Sequence, residues 1–206
     1  GVCEHLHLPL LAGRDRTLAR MHRGYTAERY VERLAAARNA IADLAVTTDI
    51  IVGFPGETDA DFRRTLEVVD HAEYDAAYTF VFSPRPGTEA ATMVDDFVAP
   101  DVVQDRMKRL VDVVERHALT KHEARVGRVE TVLVDGPSKK DASILSGRTR
   151  QNKLVNFAPP DGQRITPGDD VDVRVVGAAP HWLRGEFVRH VGSASRARTR
   201  IPVTVV

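Results

Sequence analysis

Read for its apolar positions, the chain alternates between two periods before settling into one. His5–Leu10 (HLHLPL) alternates and is apolar enough for a short buried strand, closed by Ala12-Gly13. Thr17–Met21 predicts a short helix ending near Gly24. Thr26 is then an N-cap for a helix that carries Arg29, Tyr30 and Leu34 towards Asp43. Leu44–Phe54 is β-branched and nearly continuous, as a strand covered on both faces is. Thr58 or Asp59 caps the next helix, with Phe62, Leu66 and Val69 at helical spacing. Tyr74–Ser83 is a further strand, followed by the turn PRPGT. A long helix runs from Pro100 to about Ala124, its apolar face made by Val103, Met107, Leu110, Val114 and Leu119. Strand and helix alternating in this way predict parallel βα units.

After residue 124 the helical period disappears. VGRVETVLVDG, SILSGRTRQNKLVNF, ITPGDDVDVRVVGAAP and LRGEFVRH are short strands between Gly, Pro and Asp turns. That spacing predicts a small all-β barrel or sandwich. The expected organisation is an α/β unit over residues 1–124, a β-barrel over 125–190 and a tail, 191–206, of no assigned role.

Composition changes this picture little. With 43% hydrophobic and 28% charged residues, the 206-residue chain has ordinary soluble-domain usage, and no run approaches the roughly 18 apolar residues of a membrane helix. No membrane partner is expected. The opening GVCEHLHLPLLAG has no basic stretch, so no signal peptide is expected either. A single cysteine, Cys3, excludes an internal disulfide framework and suits a reducing, cytoplasmic setting. Charge is more informative. Residues 1–125 hold 16 Lys and Arg against 21 Asp and Glu, whereas 126–206 hold 13 against 8. The basic C-terminal module suggests a polyanionic partner, although scattered surface arginines are an equal alternative.

Candidate chemistry lies at three strand ends: LPLLAGRD, VGFPGETD and FVFSPRPGTEA. Gly53 and Gly56 permit close backbone approach or positive φ, Pro55 stiffens the turn, and Glu57 offers a carboxylate to a ligand amine or ribose. A tight βα turn with Glu57 and Asp59 favouring the helix dipole is the alternative. Loops after strand C-termini are where parallel βα folds bind ligands. There is no GxxxxGK[ST] loop, HExxH helix or GxSxG elbow. His5 and His7 lack a partnering Cys or carboxylate cluster, so packing or a hydrogen bond near the sheet end is their expected role.

In the β region, Arg148, Arg150, Asn152 and Lys153 of SGRTRQNK suit phosphate contacts, and His181 with Trp182 forms a possible stacking pair. Phe157, following Leu154 and Val155, is expected in the barrel core.

HLHLPLLAGRDRTLARMHRGYT, TTDIIVGFPGETDADF and FVFSPRPGTEAA, in this order, resemble the second half of a radical S-adenosylmethionine tRNA methylthiotransferase. SGRTRQNKLVNF with GAAPHWLRGE resembles that family's appended TRAM domain, a small OB-like RNA-binding barrel. The resemblance implies the C-terminal half of a partial (β/α)6 barrel followed by the TRAM barrel. It also implies methylthio transfer to C2 of isopentenyl-adenosine, with the tRNA anticodon stem-loop as partner. By the same resemblance Gly13, Ile51, Gly53, Phe54, Pro55, Gly56, Glu57 and Ser83 line an S-adenosylmethionine pocket, with Asp49–Val52 against the adenine. Arg23 is the candidate for the cofactor carboxylate. Arg85 faces substrate phosphate or braces its turn.

The sequence departs from the family in two ways. The cysteines for the [4Fe–4S] clusters are missing, since Cys3 is the only one. Leu11, Ala12 and Arg14 stand where the family usually has a glutamine and two serines. Catalysis by this chain alone is therefore not expected. Pairing with an N-terminal half, or self-association through an open sheet edge, is. Two other readings stay open. One is a methylthiotransferase acting on an aspartate of a ribosomal protein; the other is a non-catalytic RNA-binding module on a degenerate barrel.

Overall fold

A computed structural model describes residues 2–193. Three parallel strands, β1 (His5–His7), β2 (Ala45–Val52) and β3 (Ala76–Val81), form a sheet in the order β1-β2-β3. The helices α1 (Asp15–Arg20), α2 (Ala27–Ala40) and α3 (Asp59–Ala72) connect them. Thr26 caps α2 through its hydroxyl, which accepts from Arg29 N–H at 3.2 Å. Thr58 and Asp61 form a reciprocal capping box on α3, each side chain accepting from the other's backbone N–H. The strands are shorter than their apolar runs because Leu8–Leu11 and Gly53–Phe54 belong to the connecting loops. A short helix, α4 (Glu89–Thr92), and a 3-10 turn (Val94–Asp96) follow β3, which the pattern of apolar positions did not predict.

Alternation along β2 divides the sheet. Val46, Thr48, Ile50 and Val52 are buried beneath the helices, where Leu34, Phe62, Val69 and Leu110 complete the core. Removing these side chains from water is the main stabilising term, about 25 cal/mol per Å² of apolar surface. Most polar groups inside are paired, Arg106 Nε being an exception: Tyr74 donates to Tyr30 at 2.9 Å, and Tyr30 donates to the Leu8 carbonyl at 2.7 Å. The opposite face has no helix over it in the described residues. It carries His5, His7, Thr47, Asp49, Ile51, Tyr78 and Phe80, with Tyr78 60% and Phe80 50% exposed. β1 and β3 are the sheet's two edges.

Helix α5 (Pro100–Glu123) packs along α3 and β3 through Val103, Leu110, Val114 and Ala118 and leads into the second domain. There β4 (Val129–Pro137), β5 (Leu145–Thr149), β6 (Leu154–Phe157), β7 (Asp169–Ala179) and β8 (Trp182–Ser193) close into a barrel in the order β4-β5-β6-β8-β7. Closure leaves no free edge. Its interior holds Val132, Val155, Val171, Val173, Leu183 and, as its strand position indicated, Phe157. β8 continues to Ser193, three residues past the expected boundary, and the rest of the tail lies outside the described residues.

Candidate functional site

The loops after the C-terminal ends of β1, β2 and β3 surround a cleft of about 610 Å³. Its walls include Leu11, Arg23, Asp49, Ile51, Phe54, Phe80, Phe82, Ser83 and Arg85. Phe54 and Phe82 meet edge to face at 5.3 Å, and Phe82 meets Phe97 at 5.8 Å, giving one side an aromatic surface. Arg23 and Arg85 bring positive charge and Asp49 a carboxylate. An apolar ring system with a carboxylate and an amine fits such a mixture. Leu11 takes a left-handed backbone (φ 61°) and pairs with Ile50 beyond the end of β1, so an apolar side chain occupies this rim.

Of the residues expected to contact a cofactor, Arg23, Ile51, Phe54 and Ser83 line the cleft. The two glycines of GFPGE have another reason to be there. Gly53 (φ 75°) lies so near α5 that an added Cβ would come within 2.6 Å of Val103. At Gly56 (φ 74°) it would come within 2.5 Å of the Arg20 guanidinium. Gly53 answers to packing against Val103, whereas at Gly56 the Arg20 tip can move and the positive φ is what favours glycine. Pro55 is buried beside Gly53. Glu57 also requires correction as a ligand contact. Its carboxylate is buried and accepts from Gly53 N–H at 2.8 Å and from Arg106 at 3.0 Å. Burial pushes its pKa up, opposed by those two donors. Arg106 also donates to the Glu57 carbonyl at 3.1 Å, so the loop is clamped from behind by α5. Gly13 is likewise displaced from the cleft. It packs against the backbone of α3, where an added Cβ would lie 2.6 Å from Thr65 Cα, and faces an outer groove of about 800 Å³. That groove is larger than the cleft, but its Arg14, Arg16 and Arg64 stand among four acids, Asp15, Glu28, Glu32 and Glu67, which leaves no excess of positive charge to attract an anion.

The opposite, N-terminal end of the sheet holds the junction with the barrel. Each of its three strands is preceded by an acid, and each acid meets a base. Glu4 accepts from Arg150 at 2.6 and 2.7 Å. Asp43 accepts two bonds from Arg125 at 2.9 Å and one from Gln151 at 2.9 Å. Asp75 accepts from Lys153 at 2.6 Å and from Val46 N–H at 2.8 Å. Lys153 is 4% exposed. Burial lowers its pKa, and Asp75 counters that. His122 near the end of α5 donates from Nδ1 to the Ala179 carbonyl at 2.6 Å. Burial pulls its pKa down to about 4. His181 reaches Glu115 of α5 at 3.0 Å.

This geometry corrects the expected RNA contacts. Lys153 is inaccessible, and Arg150 and His181 point to acids of the first domain. Arg148 and Asn152 stay exposed, with Arg148 donating to the Asn152 carbonyl at 3.1 Å. On the sheet's open face, His5 and His7 both hydrogen-bond Thr47, at 3.0 and 2.9 Å, and His7 also meets Asp49 at 3.3 Å.

Residues 1–69 match the model of the radical SAM superfamily and residues 123–188 that of the TRAM domain. The chain is 50% identical over 187 residues to tRNA-2-methylthio-N(6)-dimethylallyladenosine synthase of Moorella thermoacetica, covering 91% of this chain and 41% of the relative. It is 49% identical over 208 residues to the synthase of that name from Acidothermus cellulolyticus, covering 97% and 41%. That from Ralstonia pickettii is 44% identical, covering 89% and 41%. Over about nine tenths of its own length the chain is similar to these synthases, with a radical SAM segment followed by a TRAM domain. It spans about two fifths of the length of these curated relatives. A looser likeness links it to coproporphyrinogen III oxidase from Escherichia coli, a radical SAM enzyme, at 13% identity and a TM-score of 0.48, covering 71% of this chain and 41% of the other.

The cofactors that the likeness implies divide here. The residues of the cleft suit S-adenosylmethionine in shape and charge. A [4Fe–4S] cluster needs several thiolates, and the one thiol, Cys3, is exposed and alone. These residues do not fit a cluster.

Proposed function

We propose that this chain forms the wall of an S-adenosylmethionine site and the RNA-binding module of a tRNA methylthiotransferase. Its substrate class is an isopentenyl-adenosine near the anticodon of a cytoplasmic tRNA. The cleft at the strand C-termini carries the reading, because it gathers Arg23, Ile51, Phe54 and Ser83 from three successive βα segments. In this reading the Arg23 guanidinium holds the cofactor carboxylate, and Ile51 and Phe54 lie against its adenine. Bound S-adenosylmethionine supplies the chemistry of the reaction, and the cluster thiolates come from a second segment. The exposed edges of the sheet give such a segment a place to pair.

Calorimetric titration with S-adenosylmethionine, beside anisotropy of a labelled anticodon stem-loop, tests both parts. Arg23→Ala is expected to weaken cofactor binding by about tenfold or more, as loss of a charged hydrogen bond does. RNA binding should be unchanged in that variant. Equal cofactor affinity in wild type and Arg23→Ala would remove Arg23 from the site.

One observation favours the second reading, an RNA-binding module without chemistry. Leu11 presents an apolar side chain at the cleft rim where the family usually has glutamine. RNA binding with no cofactor binding at millimolar concentration would decide for it. Binding to neither would turn attention to the ribosomal-protein alternative.

A further inference from the structure

The turn between β5 and β6 commits its cations to the first domain, so RNA must be met elsewhere on the barrel. Along β5, β6 and β8, Leu145, Gly147, Val155, Phe157, Leu183 and Gly185 point inward and are buried. The alternate positions therefore point out. Register aligns Ser146 with Asn156 and Asn156 with Arg184, a row crossing three strands. Two residues along, on the same face, Arg148 pairs with Leu154, and Trp182 opens β8 beside them.

We propose that this outer face of β5, β6 and β8 is where a single-stranded RNA loop lies, with a base stacked on Trp182 and phosphates on Arg148 and Arg184. The inference rests on the RNA-binding reading above and adds the surface and the form of RNA. Three observations support it. Trp182 is 40% exposed, while its neighbour Leu183 is fully buried, so a large aromatic ring stands on a barrel wall without serving the core. Arg148 has its nearest carboxylate, Asp135, only at 3.9 Å, and among the described residues Arg184 makes no ion pair. By contrast Arg189, farther along β8, is bound to Asp172 at 2.7 Å. Gly177 leaves room for Arg184 to lie along the sheet, its Nε 3.4 Å from where a Cβ would stand. Asn156 adds an amide able to pair with a base edge, and Glu186 in the next outward position of β8 marks the boundary of the face. A stacking ring, an amide and two available guanidiniums suit unstacked bases, which a duplex does not present.

Trp182 is the only tryptophan, so its emission reports this face directly. The experiment titrates the full chain with an anticodon stem-loop RNA and with a fully paired duplex of equal length, following both anisotropy and tryptophan fluorescence. Expected are quenching of Trp182 by the stem-loop, weaker binding of the duplex, and about a tenfold loss of affinity in Trp182→Ala. Arg148→Ala/Arg184→Ala should flatten the salt dependence by about 1.4 in log–log slope, about 0.7 for each single-strand phosphate. Arg189→Ala is the control and should bind as wild type, and melting curves confirm that each variant is folded. Stem-loop binding that leaves Trp182 emission and both face variants unaffected would overturn this inference while sparing the RNA reading. Absence of binding by folded wild type would overturn both.

Discussion

The two ends of the three-stranded sheet are about 25 Å apart, the length of an eight-residue strand, and they are built on opposite principles. At the N-terminal end Glu4, Asp43 and Asp75 each have a basic partner from the barrel domain or its entry, and the most buried of these pairs, Lys153–Asp75, is closed to water. At the C-terminal end Arg23 and Arg85 face an open cleft, and the order of the GFPGE loop comes from Arg106 and Glu57 behind it. One end is internally satisfied where the sheet meets the barrel. At the other, Arg20 pairs with Asp96, while Arg23 and Arg85 line the cleft without an ion pair among the described residues. Charge is found at both, so charge alone does not locate function; satisfaction does.

That contrast breaks most visibly at the junction. Lys153→Ala leaves Asp75 buried without its counter-ion and is expected to destabilise the chain by about 3–5 kcal/mol in urea unfolding. Lys153→Met paired with Asp75→Asn should recover much of the loss. If Lys153→Ala cost no more than an exposed pair, the junction would not be the lock described. Next in size is Gly53→Ala. A left-handed backbone and the Val103 side chain both oppose a Cβ there, so a loss of about 1–3 kcal/mol is expected, with Val103→Ala relieving part of it. Full relief by a cofactor instead would return Gly53 to a ligand-contact role.

Smaller is the response to acid. His122 is held neutral in the fold, its pKa drawn from the ordinary 6.5 to about 4. Between those values the unfolded chain binds the extra proton, so stability falls as pH drops through this window and is constant above it for this group. His122→Gln should flatten the slope of melting temperature from pH 7 to pH 4.5. The smallest effect belongs to Arg150→Ala. Its pair with Glu4 lies at the surface, where water screens it, so little stability is lost. A cost near that of Lys153→Ala would erase the distinction between buried and exposed members of the junction.

Much of the architecture was readable without coordinates because it depends on near neighbours. The period of apolar positions placed three parallel strands, their helices and the change to a β-barrel near residue 124. Hydroxyls at Thr26 and Thr58 marked two helix starts, and the position of Phe157 after Leu154 and Val155 marked it as core. Arg23, Ile51, Phe54 and Ser83, named through the family likeness, line one cleft because the ends of parallel strands fall on one side of a sheet. The brief helix after β3 was not, because four residues carry too little periodicity to register.

What local pattern could not supply was the destination of polar groups. Lys153 and Arg148 stand in one basic stretch and look alike, yet one is buried against Asp75, 78 residues away, and the other is exposed. Arg150 finds Glu4 across 146 residues, and Glu57 finds Arg106 across 49. The glycines of GFPGE announce close approach but not by what, and only the fold shows that Val103 and Arg20 are the neighbours. By itself, then, the sequence determined the kind and order of the elements and the family likeness, which follow from local period and motif. Which charges are satisfied, which loop residues line the cleft and which barrel residues stay exposed were decided by tertiary contact, because burial depends on residues distant in the chain.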